Sequence, residues 1–325
     1  MKLQQLRYLA AIVENGLNIS AAAEKLHTSQ PGVSRQIKLL EDELGFELFI
    51  REGRSLTRLT QSGQRVVERA QRILRETQAI KGMSLDVRDS QRGTLSIATT
   101  HTQARYVLPP VIAKFREKYP KVRLHLHQGT SEQISEMLAS EHVDLAIGTG
   151  SREQFGNCVL LPCYEWYRRI VVPKAHPLAR ARSLSIEKLA QHPIVTYVFS
   201  LSGPSSLPAA FERAGLEPDI ALTARDADVI KTYVRLGLGV GIVAAMAIDP
   251  LEDSDLVSLD ASHLFPRHLT WVGYRRGVFL RRYAYDFMHL LAPHLERTRI
   301  AKATQAADQD GVDELFADVK LPLYA

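Results

Sequence analysis

The chain has 325 residues, 45% of them hydrophobic, and 41 lysines and arginines against 36 acidic residues, a net charge of +5. That length suffices for substantial cores in two domains or so, and the lack of a membrane-length apolar run or a signal-peptide pattern fits a soluble cytoplasmic protein. Two cysteines, Cys158 and Cys163, exclude a disulfide framework and make a poor zinc site without a histidine pair, so plain thiols are expected.

In chain order, Leu3 to Asn15 reads as an apolar-rich helix with Leu6, Leu9, Ala10 and Val13 inward. Ser20 to Leu26 reads as a short helix capped by Ser20, with three alanines that permit close packing. A polar turn, His27-Thr28-Ser29-Gln30, leads to Pro31, which suits a first helical turn. Val33, Ile37, Leu40 and Leu44 then form a stripe that buries one face, while Gln30, Ser34, Arg35 and Lys38 make the other face hydrogen-bonding and basic. Two short helices with such a front form a helix-turn-helix, whose second helix enters the DNA major groove. Arg35 can fork onto guanine O6 and N7, Gln30 can pair with an adenine edge, and Ser34 and Thr28 can hold phosphates or base edges. Thr28, Ser29, Gln30, Pro31, Ser34, Arg35 and Lys38 are the candidate DNA face. The bland alternative is an amphipathic hairpin with a solvated charged face.

Phe46 to Thr60 alternates around Gly53 like a hairpin, a wing whose Arg51 and Arg54 suit phosphates or a minor groove. Gln61 to Val87 is a long helical run in which Val66, Ala70, Ile73, Thr77, Ile80 and Ser84 form a short heptad seam. A dimer seam is the favoured reading over one helix packed on its own domain, because a reader of two half-sites needs a spacer. Residues 1 to 92 hold 15 basic against 11 acidic residues and the remainder 26 against 25, so the basic excess sits on the DNA-binding part.

After Gly93 strands and helices alternate, which implies a parallel sheet. The strands are Thr94 to Thr99, Val122 to Gln128, Val143 to Thr149, Arg168 to Pro173 and Ile194 to Phe199. Helices fall at His101 to Tyr119, where Pro109 and Pro110 threaten a kink, and at Ser131 to Ser140, Ser185 to Gln191 and Ser205 to Ala214; Asp228 to Val243 runs from helix into strand. The pattern fits two α/β lobes joined by crossing strands, with a ligand outside the carboxyl ends of strands. Thr99-Thr100-His101-Thr102-Gln103 is such a junction, with hydroxyls, an amide and helix N-terminal N–H groups suited to an anion. Ser200 to Ser206 opens a helix in the other lobe, and Thr149 ends a strand. Together they suggest a small, polar, anionic effector; each alone would be a helix cap. His125 and His127 lack further metal ligands and read as hydrogen-bonded histidines near the cleft. The glycines of Leu236 to Gly241 follow a helix and precede a strand, the wrong order for dinucleotide binding, and read as a tight turn. No nucleophile, base and orienting group come together, so an enzyme is not expected. A solute-binding protein shares the sensor pattern but not the DNA motif.

The order of helix, helix-turn-helix with Ser-Gln-Pro-x-x-Ser-x-Gln-Ile-x-x-Leu-Glu, wing and long helix resembles the LysR-type transcriptional regulators. The resemblance implies that Gln30, Pro31, Ser34 and Arg35 meet DNA and that Arg54 enters from the wing. It also implies the fold class: a winged helix-turn-helix (1–60), a linker helix (61–92) and a two-lobed α/β sensor domain of the periplasmic-binding-protein type (93–295). The first lobe takes about 93–163 and 267–292, the second about 164–266, and a tail (296–325) either docks a short amphipathic helix on a neighbouring subunit or frays. Ala98 to Tyr106, Leu161 to Tyr164, Asp226 to Gly241, Met1 to Tyr8 and Phe279 to Phe287 resemble the branch of that family governing cysteine biosynthesis and sulfur assimilation. That branch implies a cleft lined by Thr100, Thr102, Gln103 and Thr149, with Ser202 where threonine is frequent. It further implies activation with RNA polymerase at promoter DNA, N-acetylserine (formed from O-acetylserine) as inducer, sulfide or thiosulfate opposing it, a sulfate- or thiosulfate-like anion able to occupy the cleft, and a homotetramer. Regulators of sulfonate use share much of this pattern.

Overall fold

A computed structural model of the chain describes every residue except Arg54, Asp89, Gly150, Ser151, Arg182, 202–205 and Ala325, and, within its elements, the backbone alone at residues 55, 75, 78, 85–88, 153 and 154. The chain packs as two units, Met1–Asp89 with Gly277–Arg281, and Ser90–Arg276 with Arg282–Ala325.

In the first unit α1 (Leu3–Glu14), α2 (Ile19–Lys25) and α3 (Gln30–Leu44) form a three-helix core. Leu6, Leu9, Ile12, Ala22, Ala23, Val33, Ile37 and Leu40 are buried together, each large side chain contributing roughly 1.5–3 kcal/mol. Val13 and Leu44 pack at its rim. The cap of α2 is Asn18, not Ser20: its side chain accepts from Ala21 N–H, and Ser20 falls inside the first turn. Ser29 caps α3 by accepting from Gly32 N–H, and Gly45 ends it at φ 77°. β1 (Phe49–Glu52) and β2 (Ser55–Leu59) pair antiparallel as the wing. Thr60 then joins wing to α4 (Gln61–Arg88), its hydroxyl accepting from Gly63 N–H and donating to Glu47 C=O.

The second unit contains two sheets. β3 (Arg92–Thr99) leads through a π-helical turn (Gln103–Val107) into α5 (Leu108–Lys118). The prolines act here: Pro109 and Pro110 have no N–H to offer the Arg105 and Tyr106 carbonyls, and Leu108 N–H instead reaches Gln103 C=O. β4 (Lys121–Gln128), α6 (Ser131–Ala139), β5 (Leu145–Thr149) and β6 (Cys158–Trp166) follow. The chain crosses at Tyr167 into β7 (Arg168–Pro173), α7 (Ile186–Leu189), β8 (Ile194–Tyr197), α8 (Leu207–Glu212), β9 (Ile220–Ala224), α9 (Ala227–Arg235), β10 (Val240–Ala244) and β11 (Leu256–Asp260). It returns in β12 (His268–Arg275) and closes with α10 (Arg282–Leu291), α11 (Arg297–Gln305), α12 (Gln309–Phe316) and β13 (Leu323–Tyr324).

One lobe holds the sheet β13-β6-β12-β5-β3-β4, the other β11-β7-β10-β8-β9. β3 runs parallel to β4 and β5, and β8 parallel to β9 and β10. The glycine run after α9 is a helix-to-strand turn: Gly237 lies at φ 79°, and a Cβ on Gly239 would meet Pro193 C=O at 2.3 Å. The tail does not fray. α12 packs on β6 of the same chain, with Val312 and Phe316 buried.

Candidate functional site

The candidate DNA face lies on the outer side of α3 and the turn before it. Thr28, Ser29, Gln30, Pro31, Arg35 and Lys38 are exposed and Ser34 is half-buried. Gln30 Nε2 donates to Ser34 Oγ at 3.2 Å, and Lys38 pairs with Asp42 at 3.2 Å. Two candidates have structural work of their own. Ser29 supplies the cap of α3. Arg51 does not stand free on the wing: its Nη2 donates to Glu41 Oε2 at 2.7 Å, and Glu41, 3% exposed, also accepts from Leu48 N–H. Arg51 thus ties the wing to α3. Arg54 lies outside the described residues.

The long helix divides the heptad seam in two. Val66 and Ala70 pack into the helix-turn-helix core, so the first turns of the seam belong to their own unit. Further along, Ile73, Ile80 and Met83 are exposed.

In the second unit a narrow cleft of about 30 Å³ is lined by Thr100, Thr102, Gln103, Ser131, Thr149, Trp166, Phe199 and Ala244. That space is well below the roughly 300–1,000 Å³ of small-ligand sites, so a larger ligand needs the cleft to open. Its walls come from the carboxyl ends of β3, β5, β8 and β10, where parallel strands leave outward-facing groups. None of these lining residues carries a charge. A polar network joins them. Gln103 Nε2 donates to Thr270 Oγ1 at 3.4 Å, and the Tyr164 hydroxyl donates to Gln103 Oε1. Thr149 Oγ1 and Thr270 Oγ1 are hydrogen-bonded at 2.9 Å, either hydroxyl being able to donate, and Trp166 Nε1 donates to both. Tyr197, beneath Thr102, accepts from Ala244 N–H, and burial pushes its hydroxyl up to about 12. Such a site offers hydroxyls, an amide and helix N-terminal N–H groups, fit for a small anionic or strongly polar ligand.

The lobes also meet through charges beside the cleft. The Tyr106 hydroxyl donates to Asp228 at 2.6 Å and Arg105 Nη2 to Glu252 at 3.0 Å. Lys231, 2% exposed, donates to Asp253 at 2.8 Å and lies 5.2 Å from the Tyr106 ring centroid. Burial and the Asp228 carboxylate hold the Tyr106 hydroxyl far above its usual range, so it stays a donor. His101, Asp226 and Asp228 bring ligand-type atoms within 4.8 Å of one another, but Arg105 and Lys231 already neutralise Asp228.

Residues 3–64 match the model of the bacterial regulatory helix-turn-helix proteins of the lysR family, and residues 88–296 that of the LysR substrate binding domain. The chain belongs to the LysR family of transcriptional regulators. It is 48% identical over 321 residues to the HTH-type transcriptional regulator CysB of Haemophilus influenzae, covering 99% of both chains. It is 47% identical over 301 residues to the HTH-type transcriptional regulator SsuR of Burkholderia cenocepacia, covering 93% of this chain and 98% of that one. The crystal structure of the cofactor-binding domain of the Cbl transcriptional regulator superposes with a TM-score of 0.63 at 41% identity, covering 66% of this chain and 95% of that one. Each of these relatives is a transcriptional regulator. No described helix of this LysR-type chain is long and apolar enough to cross a membrane.

Within the regulator, Thr100, Thr102, Gln103 and Thr149 face one cleft. Ser202 lies outside the described residues. Its neighbour Ser200 is fully buried, its hydroxyl without a partner among the described residues, and Ser206 caps α8. Ser131, Tyr164, Trp166, Phe199, Ala244 and Thr270 are cleft or network residues that the sequence did not single out. Thr270 and Tyr164 carry no local signal; pairing of β12 with β5 and β6 sets Thr270 opposite Thr149 and Tyr164. Trp166, one of two tryptophans, ends a buried strand and was the detectable one. His125 and His127 lie on edge strand β4 and do not line the cleft; His127 packs on His142 at 4.9 Å. Cys158 and Cys163 are buried, and burial pushes Cys158 up to about 11 and Cys163 higher still, which suits inert thiols.

Proposed function

We propose that the chain activates genes of cysteine biosynthesis and sulfur assimilation when N-acetylserine or O-acetylserine occupies its cleft, with sulfide or thiosulfate opposing. The observation that carries this reading is the uncharged, hydroxyl- and amide-lined cleft at a helix N-terminus, which matches a small carboxylate carrying an amide or ester. Sulfate or thiosulfate fits the same donors. Full-length likeness to CysB supports the choice of regulon. The exposed Ile73, Ile80 and Met83 on α4 suit pairing of two such helices, and a homotetramer contacting promoter DNA and RNA polymerase is the working assembly. Arg35 and Gln30 read bases, Ser34, Thr28 and Lys38 hold the backbone, and Ser29 acts through its cap. Arg54 and Ser202 keep the wing and cleft roles that the family resemblance implies.

A second reading rests on the nearly equal likeness to SsuR: a regulator of sulfonate or other sulfur-source use with a different small anion in the same cleft. Calorimetry of the full chain with N-acetylserine, O-acetylserine, sulfate and thiosulfate separates the two. Saturable N-acetylserine binding supports the first, binding of sulfate alone the second, and no binding by any of the four withdraws both effector assignments. A solute-binding protein would not bind operator DNA; sequence-specific binding that Arg35→Ala abolishes excludes it.

A further inference from the structure

β13 reaches the cleft network from the edge of the six-stranded sheet. Glu165 N–H donates to Pro322 C=O at 2.9 Å, and β13 pairs parallel with β6, setting Leu323 opposite Glu165 and Tyr324 opposite Trp166. The Tyr324 ring lies 4.6 Å from the Tyr164 ring at 54°. Tyr164 is 1% exposed, and its hydroxyl donates to Gln103 Oε1. In this arrangement Gln103 Oε1 accepts from Tyr164 while Nε2 reaches Thr270, whose hydroxyl bonds Thr149. Tyr324 therefore stands at one end of a chain of contacts whose other end is the cleft-lining Thr149 hydroxyl.

The tail that carries Tyr324 is fastened to its own sheet. Gln309 bonds both the N–H and the C=O of Leu160, at 3.0 and 2.8 Å, and Phe316 packs edge-on to His294. Ordering an edge strand of two residues has little backbone return by itself, since it adds few ladder bonds. Its distinctive product is an aromatic lid on Tyr164.

We propose that the C-terminal strand is a positioning element for ligand recognition, with Tyr324 a positioning residue that holds Tyr164 and, through it, the Gln103 amide. The inference deepens the reading of the cleft as the effector site and rests on it for its ligand. A strand that merely covered the edge of β6 would leave the cleft unchanged when its side chain was removed.

The test uses the full chain and the variants Tyr324→Ala, Tyr324→Phe and Tyr164→Phe, by hydrogen exchange of residues 100–107 without ligand and by N-acetylserine titration. Tyr324→Ala should speed exchange there about three- to tenfold and weaken N-acetylserine binding by a similar factor, as loss of one aromatic pair implies. Tyr324→Phe keeps the ring and should restore both; Tyr164→Phe, with the tail still docked, should reproduce the loss. Wild-type exchange at 100–107 in Tyr324→Ala, with 309–324 exchanging faster, overturns the proposal. If Tyr324→Ala does not fold, Tyr164→Phe decides, and unchanged exchange there overturns it equally. Should the wild type not bind N-acetylserine, the effector assignment fails, while the exchange comparison still decides the positioning role.

Discussion

His268 opens β12 with its ring stacked on Trp166, centroids 4.5 Å apart at 24°, and its buried Nε2 has no hydrogen-bond partner. Burial, aided by the Arg168 charge, lowers its pKa from 6.5 to about 3. The ring is therefore neutral in the fold, while in the unfolded chain it takes up a proton as pH falls below 6.5. A lowered histidine stabilises fully above the unfolded value and loses that contribution as pH falls from 6.5 toward 3. One pH unit below the unfolded value, at about pH 5.5, the loss amounts to about 1.4 kcal/mol. Urea unfolding followed by tryptophan fluorescence measures it, because Trp166 and Trp271, the two tryptophans of the chain, both lie in the six-stranded sheet. Between about pH 7.5 and pH 5.5 the wild type should lose about 1.4 kcal/mol more than His268→Gln, which does not titrate in that window. Equal losses in the two proteins would refute the buried neutral imidazole. Trp166 lines the cleft, but the folded-state ring of His268 stays neutral across this window, so ligand affinity should not change on its account.

Three further outcomes are expected. Gly63→Ala should destabilise the DNA-binding unit by about 3 kcal/mol or more, because a Cβ there would lie 2.0 Å from the Leu48 carbonyl oxygen; the melting of residues 1–89 followed by hydrogen exchange checks it. Glu41→Ala should cost about 1–3 kcal/mol by leaving Leu48 N–H buried without an acceptor and Arg51 unpaired, and should lower DNA affinity by loosening the wing; a gel-shift titration beside a urea melt separates the effects. Thr149→Val removes the hydrogen bond with Thr270 and one acceptor for Trp166, so N-acetylserine affinity should fall about five- to tenfold with operator binding intact, as read by calorimetry and fluorescence anisotropy. Unchanged affinity would detach the network from recognition.

The helix-turn-helix was legible almost residue by residue. Its information is local: a three-four apolar spacing, a proline in the first turn of α3 and a glycine at its end each act within one turn of chain. The one local error, Ser20 for Asn18 as cap, arose because both are good caps and only the turn at Gly16 and Leu17, both at positive φ, decides where the helix begins. The tie from Arg51 to Glu41 was not legible, for the opposite reason. Glu41 is ten residues away on another element, and no pattern in the wing reports it. Val66 and Ala70 kept heptad spacing yet pack into their own core, since spacing specifies a face but not what covers it.

By itself the sequence determined the winged motif, the alternation of strand and helix, and the junctions that present Thr100, Thr102, Gln103 and Thr149, because caps, periodicity and strand-to-helix order are written over a few residues. Only the tertiary structure decided which distant side chains complete the cleft. Tyr164, Thr270 and Tyr324 stand together through strand register across the sheet β13-β6-β12-β5, and register is set by burying whole faces at once, a condition that no short stretch of sequence contains.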